Sequence, residues 1–122
     1  MLEALRNLDV WRRACRLSVN VYHLTSSCTQ YSYRDQVTRS ALSIASNIAE
    51  GYERDSLKDR VRFLYMAKGS CGECWTQLLI GMEATLVDKE QARELIAEAH
   101  ELSRMLRALI IGLQKKRDCG TA

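Results

Sequence analysis

Between Arg39 and Arg54 the chain reads Arg-Ser-Ala-Leu-Ser-Ile-Ala-Ser-Asn-Ile-Ala-Glu-Gly-Tyr-Glu-Arg, and this stretch restricts the available folds more than any other. Ile44 and Ile48 stand four apart and interleave with Ala41 and Ala45, which gives a helix one apolar face. Ser43, Ser46, Asn47 and Glu50 recur at three- and four-residue spacing and add a polar stripe of small side chains. Gly51 is expected to close the helix, because glycine accepts the left-handed conformation in which many helices end. A helix so rich in Ala and Ser calls for other backbones packed close against it.

Four amphipathic segments surround and include this one. The first is expected from a cap at Asn7 to about Thr25, with Val10, Ala14, Leu17, Val21 and Leu24 in the four-three spacing of a bundle seam. Leu8, Trp11, Cys15 and Tyr22 widen that seam, while Arg12, Arg13, Arg16 and Asn20 fall opposite. Ser26–Ser32 reads as a turn. The second helix, about Tyr33–Tyr52, buries Val37, Ala41, Ile44 and Ile48. Ser56 with Asp59 resembles a capping box for a third, about Leu57–Leu86. Its apolar period runs through Leu57, Val61, Leu64, Cys71, Trp75, Leu78 and Met82, and Lys68 interrupts it, which predicts a snorkelling side chain or an opening. Asp88 with Gln91 caps a fourth helix whose seam is Ala92, Leu95, Ala99, Leu102, Leu106, Leu109 and Leu113. That helix begins acidic and ends in Lys115, Lys116 and Arg117, the order its dipole favours. Residues 118–122 read as a frayed tail.

The pattern is all-α: an antiparallel, up-down four-helix bundle in one domain spanning 1–122, with its core at about 8–116. The 122 residues suffice to bury a core without metal or disulfide staples. Proline is absent, which suits long uninterrupted helices. No apolar run approaches the roughly 20 residues of a membrane span, and the N-terminal residues lack a signal-peptide core. Cys15, Cys28, Cys71, Cys74 and Cys119 form an odd set without the spacing of a secreted scaffold, which predicts a reducing, cytoplasmic setting and no membrane partner.

Candidate chemistry is sparse. Cys71-Gly-Glu-Cys74 has the form of a redox motif, but it falls mid-helix in phase with Leu64 and Leu78 instead of at a helix N-terminus, so the two cysteines read as small core residues. His23 and His100 do not stand at ligand spacing from the cysteines, so no metal site is expected. Two stripes, Ser43-Asn47-Glu50 and Ser70-Glu73-Gln77, predict a polar packing layer or subunit contact between the second and third helices. Read as chemistry, Glu50 and Glu73 would be an acid/base pair. The Glu-x-x-His element of di-metal bundles and any nucleophile–base pair are missing, so no catalytic residue and no cofactor is assigned. Tyr31, Tyr33 and Tyr52 lie near turns, where they are free to act as stacking platforms; Trp11 and Trp75 are expected in the core.

Leu-Asp-Val-Trp-Arg-Arg-Ala at 8–14, Val-Tyr-His-Leu-Thr at 21–25, Arg39 to Gly51, and Arg-Phe-Leu-Tyr-Met-Ala-Lys-Gly-Ser at 62–70 resemble, in order, the motifs of the 23S rRNA-intervening-sequence protein family. This four-helix-bundle family includes proteins encoded by intervening sequences in bacterial large-subunit ribosomal RNA genes, and the accessory proteins of diversity-generating retroelements are similar in fold. Two features depart from the pattern. Ser26-Ser27-Cys28-Thr29 stands where a Phe-Pro turn is usual, and Cys71 and Cys74 replace leucines. The resemblance implies a homo-oligomer, most often a pentameric ring, and for the retroelement relatives it implies binding of nucleic acid and of a reverse transcriptase.

The formal net charge is only +3, but a ring would multiply it into a concentrated field. The expected function is therefore sequence-independent binding of RNA or DNA by a non-enzymatic bundle. The residues expected to carry it are Arg12, Arg13 and Arg16, with Arg54, Lys58, Arg60 and Arg62. The alternative is a scaffold that docks a protein such as a reverse transcriptase.

Overall fold

The computed structural model describes residues 2–121. Among them are five α-helices and no strand: α1 (Leu2–Arg6), α2 (Asp9–Leu24), α3 (Tyr31–Glu53), α4 (Leu57–Glu83) and α5 (Lys89–Lys116), with a π-type turn over Arg117–Thr121. The four long helices form the bundle. α4 packs most extensively, against α3 on one side and α5 on the other, and α2 completes the ring of contacts by touching α3 and α5. Short connections make consecutive helices antiparallel neighbours.

The seams read from the sequence are largely the seams of the core, but on α5 Ile110 is buried where Leu109 and Leu113 were expected, and on α4 Leu57 and Met82 are only partly covered. Val10, Ala14, Leu17 and Val21 of α2, Val37, Ala41, Ile44 and Ile48 of α3, and Ala92, Leu95, Ala99, Leu102 and Leu106 of α5 are buried together. Leu64, Ala67, Cys71, Cys74 and Leu78 of α4 complete the core. Two expected caps form as read: Ser56 Oγ accepts from the Asp59 N–H at 3.1 Å, and Asp88 Oδ2 accepts from the Gln91 N–H at 2.9 Å.

Several local expectations need correction. Asn7 does not cap α2. The chain is already helical over Leu2–Arg6, Asn7 donates its N–H back to Glu3 O, and Leu8 takes the cap position without a side-chain bond. This short helix lays Leu5 into the core, so the core begins before residue 8. α3 starts at Tyr31 and runs past Gly51 to Glu53. Gly51 is a packing glycine: a Cβ there would lie 3.1 Å from Phe63 Cβ and 3.2 Å from Arg60 O, so its bare backbone lets the N-terminal turn of α4 approach. α4 ends at Glu83, three residues short of the expected Leu86, in a paired bond set with Leu86 N–H donating to Gly81 O and Thr85 N–H to Met82 O. That closing geometry puts Thr85 at φ 57, a left-handed position that glycine usually fills. The tail continues as helical turn to Thr121, with Gly120 at φ 76; residue 122 lies outside the described residues.

Trp75 and Tyr22 also leave their expected places. Trp75 is 38% exposed, whereas Cys71 and Cys74, both read as core residues, are buried. α4 is apolar on most of its circumference, so spacing alone leaves its inward direction ambiguous by one residue. Tyr22 lies outside the α2 seam, on the surface.

Candidate nucleic-acid interface

The polar layer expected between the second and third long helices exists, with a different membership. Ser43 Oγ and Ser70 Oγ share a hydrogen bond at 2.9 Å, and Asn47 Nδ2 donates to Ser43 O at 2.9 Å and to Ser43 Oγ at 3.0 Å. One to two turns away, Ser40 Oγ donates to Gln77 Oε1 at 2.7 Å, and the Tyr33 hydroxyl donates to Gln77 O at 2.7 Å. Every buried side-chain polar atom among the described residues has a partner, so the layer is satisfied internally and fixes the α3–α4 register. Tyr33 is thus not a free stacking platform. Burial pushes its phenol up to about 12.

Glu50 and Glu73 do not belong to that layer. Both are exposed, and Glu50 is ion-paired with Arg54 at 3.2 Å. The Ser43–Ser70 level puts Glu50 opposite Phe63, which is ten residues, or about 15 Å of helix rise, from Glu73. The two carboxylates are therefore not brought together. The stripes were misassigned at one end because three- and four-residue spacing drifts around a helix, and only the inner part of each stripe meets its neighbour.

Cys71 and Cys74 are core side chains. Burial pushes the Cys71 thiol up to about 12 and the Cys74 thiol up to about 11, which is opposite to the acidic thiol of a redox centre. Among the described residues no group of three or more His, Cys, Asp and Glu side chains is placed to hold a metal ion.

The cations singled out from the sequence are largely occupied within the protomer. Arg13 makes a bidentate pair with Glu98 of α5, Nε donating at 2.8 Å and Nη2 at 2.6 Å, and the carboxylate holds the guanidinium charged. Arg12 bonds Asp9 and the Arg6 carbonyl. At the α3–α4 hairpin, Arg60 lies over the Tyr52 ring at 4.3 Å, while Arg54 and Arg62 sit over Phe63 at 4.8 and 4.7 Å. Arg62 also approaches Asp59 at 3.8 Å. Arg16 and Lys58 are exposed on α2 and at the start of α4. The set divides into an α2 group and a hairpin group.

A more open basic surface lies in the groove between α4 and α5. Lys68 and Arg107 face each other across a depression of about 210 Å³ completed by Tyr65, Ile110 and Ile111. One turn further along, Trp75, His100 and Ser103 line its continuation over Cys71 and Gly72. No carboxylate lines either depression. A separate depression near the α4 N-terminus is lined by α4 alone, through Lys58, Asp59, Val61, Arg62, Tyr65 and Met66. Cations interleaved with exposed aromatic rings are the components of a backbone-tracking surface for single-stranded or looped nucleic acid. Lys68 gave a sequence signal by interrupting the apolar period of its helix; Arg107 gave none, because its approach to Lys68 depends on how α5 packs.

A family model described as 23S rRNA-intervening sequence protein matches residues 6–108. No curated protein matches the chain. Among solved structures, a protein of unknown function from the S23 ribosomal protein family of Bacteroides thetaiotaomicron VPI-5482 is similar in fold, at 21% sequence identity and a TM-score of 0.78 over 83% of this chain and 97% of that one.

Proposed function

The chain belongs to the 23S rRNA-intervening sequence protein family, and from that premise we propose that it is a non-enzymatic, self-assembling bundle that binds structured RNA through sequence-independent phosphate contacts. The observation that carries this reading is the α4–α5 groove, where Lys68 and Arg107 flank Tyr65 with no carboxylate in the lining. Phosphates release counterions from such cations, and an aromatic face accepts any base. Arg16 adds exposed charge on α2.

The assembly in this reading is a homo-oligomeric, pentameric ring. It is supported by large apolar side chains left on the surface of the protomer, among them Val19, Leu42, Met66 and Ile80. Repetition then turns a modest subunit charge into a field strong enough to hold a polyanion. Five free cysteines fit a reducing, cytoplasmic setting.

The test is the salt dependence of binding to a structured RNA and to a single-stranded one. Affinity should fall steeply between roughly 50 and 200 mM salt, and Lys68→Glu with Arg107→Glu should lower affinity and flatten the slope. Arg13→Ala should change the slope little, since Glu98 already occupies that guanidinium. Salt-insensitive capture of a protein with no RNA retained would replace this reading with a docking scaffold, for which a reverse transcriptase is the partner to try first.

A further inference from the structure

Two glycines in the middle of α4 have no purpose inside the protomer. Glycine is the least favourable helix-interior residue after proline, and a Cβ on Gly69 or Gly72 would meet nothing within 4 Å. Gly51 and Gly81 differ, since each has a neighbour seated against its backbone. Gly69 and Gly72 lie on the outward face of α4 at one-turn spacing, between Met66, 46% exposed, and Ile80, 53% exposed. The result is a shallow apolar notch facing away from the core.

The charges beside the notch are ordered. Lys58 and Arg62 lie towards its α4 N-terminal end, and exposed Glu73 and Glu83 towards its C-terminal end. The outward side of α3 carries the reverse order at matching levels. The Ser43–Ser70 hydrogen bond fixes those levels: Glu50 comes level with Phe63, next to Arg62, Glu53 with Arg60, two residues from Lys58, Arg39 with Cys74, next to Glu73, and Leu42, 55% exposed, with Cys71, next to Gly72.

We propose that the outward face of α4 in one copy docks in parallel, level register against the outward face of α3 in a second copy, with the partner's Leu42 seated over Gly69 and Gly72. Glu73 then faces the partner's Arg39, and Lys58 and Arg62 face the partner's Glu53 and Glu50. The contact is head-to-tail, because the two surfaces differ. α3 and α4 occupy adjacent corners of the bundle, so their outward faces stand at roughly a right angle, and repetition of such a contact curves round and closes. The inference rests on the self-assembly reading and specifies the surface through which it occurs.

The test uses light scattering at tens of micromolar protein on wild type, Gly72→Arg, Leu42→Asp and an equimolar mixture of the two variants. Neither substitution displaces a core side chain, so circular dichroism and melting should report intact helices. The expected result is an oligomeric wild type, two monomeric variants, and a one-to-one heterodimer in the mixture, since Gly72→Arg retains a good α3 face and Leu42→Asp a good α4 face. Glu73→Arg should likewise weaken assembly, and Arg39→Glu on the same chain should restore it. A wild-type monomer overturns the assembly reading and this contact together. An oligomer that survives both substitutions overturns only the contact. Dissociation by Gly72→Arg but not by Leu42→Asp shows that α4 pairs with another surface and also overturns it.

Discussion

Gly81→Ala should be the most damaging single-methyl substitution in this chain. In the native bundle the Tyr33 ring lies across the backbone of Gly81 and its hydroxyl reaches Gln77 O at 2.7 Å. A Cβ on residue 81 would lie 2.5 Å from Tyr33 Cζ and closer still to the phenolic oxygen, so the ring must leave. Tyr33 is about half-buried. Exposing on the order of 100 Å² of it costs about 2.5 kcal/mol at the usual area coefficient. Loss of the hydroxyl bond adds about 1 kcal/mol, and alanine's better helix propensity returns about 1 kcal/mol. The net destabilisation is about 2–3 kcal/mol, or on the order of 10 °C in Tm for a domain of this size. The assay is paired thermal and urea unfolding of wild type, Gly81→Ala, Tyr33→Ala and the double variant, all in the Leu42→Asp background so that assembly does not contribute. With Tyr33 truncated, alanine at 81 has nothing to displace and should become neutral or stabilising. A Gly81→Ala penalty that persists unchanged in the Tyr33→Ala background would refute the reasoning.

Other consequences follow from the same geometry. Thr85 pays for its left-handed conformation with a branched side chain, so Thr85→Gly should raise stability by about 1 kcal/mol in urea unfolding, as relief of strain outweighs the added freedom of the unfolded chain. Tyr33, Cys71 and Cys74 bind their protons more tightly in the folded state than in the unfolded one. Their contribution is therefore complete below the unfolded values of 9.0 for thiol and 10.0 for phenol, and is lost as pH rises through about 11–12. Alkaline titration followed by circular dichroism should show unfolding over that range, beginning at lower pH in Gly81→Ala. At pH 8, iodoacetamide should modify exposed Cys119 in the native protein and reach Cys71 and Cys74 only on unfolding, as read by peptide mass.

Much of the bundle was legible because heptad-like spacing leaves few alternatives on α2, α3 and α5. Most inward residues of those helices, Leu17, Ile44 and Leu102 among them, are the ones the spacing selects, with Ile110 taking the place of Leu109 and Leu113 near the end of α5. α4 was less legible. Its apolar residues surround the helix, so spacing puts Trp75 in the seam beside Cys71 and Cys74, and the fold keeps only the two cysteines inside. The caps at Ser56 and Asp88 were readable from side chains acting on their own turn. Gly51 was misread as a helix end because a glycine that permits close packing and a glycine that permits a left-handed turn look the same in one dimension.

The candidate interface shows the same division. Sequence could count cations and note that Lys68 broke an apolar row, yet it could not tell which cations were already spent on partners. Arg13 and Glu98 are remote in the chain and meet only because α2 and α5 lie side by side; Lys68 and Arg107 line one depression for the corresponding reason across α4 and α5. The amino-acid order by itself determined the four long helices and the face each turns inward on three of them, because hydrophobic burial acts on a period that local geometry fixes. Helix register, the membership of the polar layer and the sharing-out of charges between internal pairs and open surface were decided only by tertiary packing. Each depends on the height at which one helix stands beside another, and that height is set by contacts such as Ser43 with Ser70 and Tyr33 over Gly81 that no single segment contains.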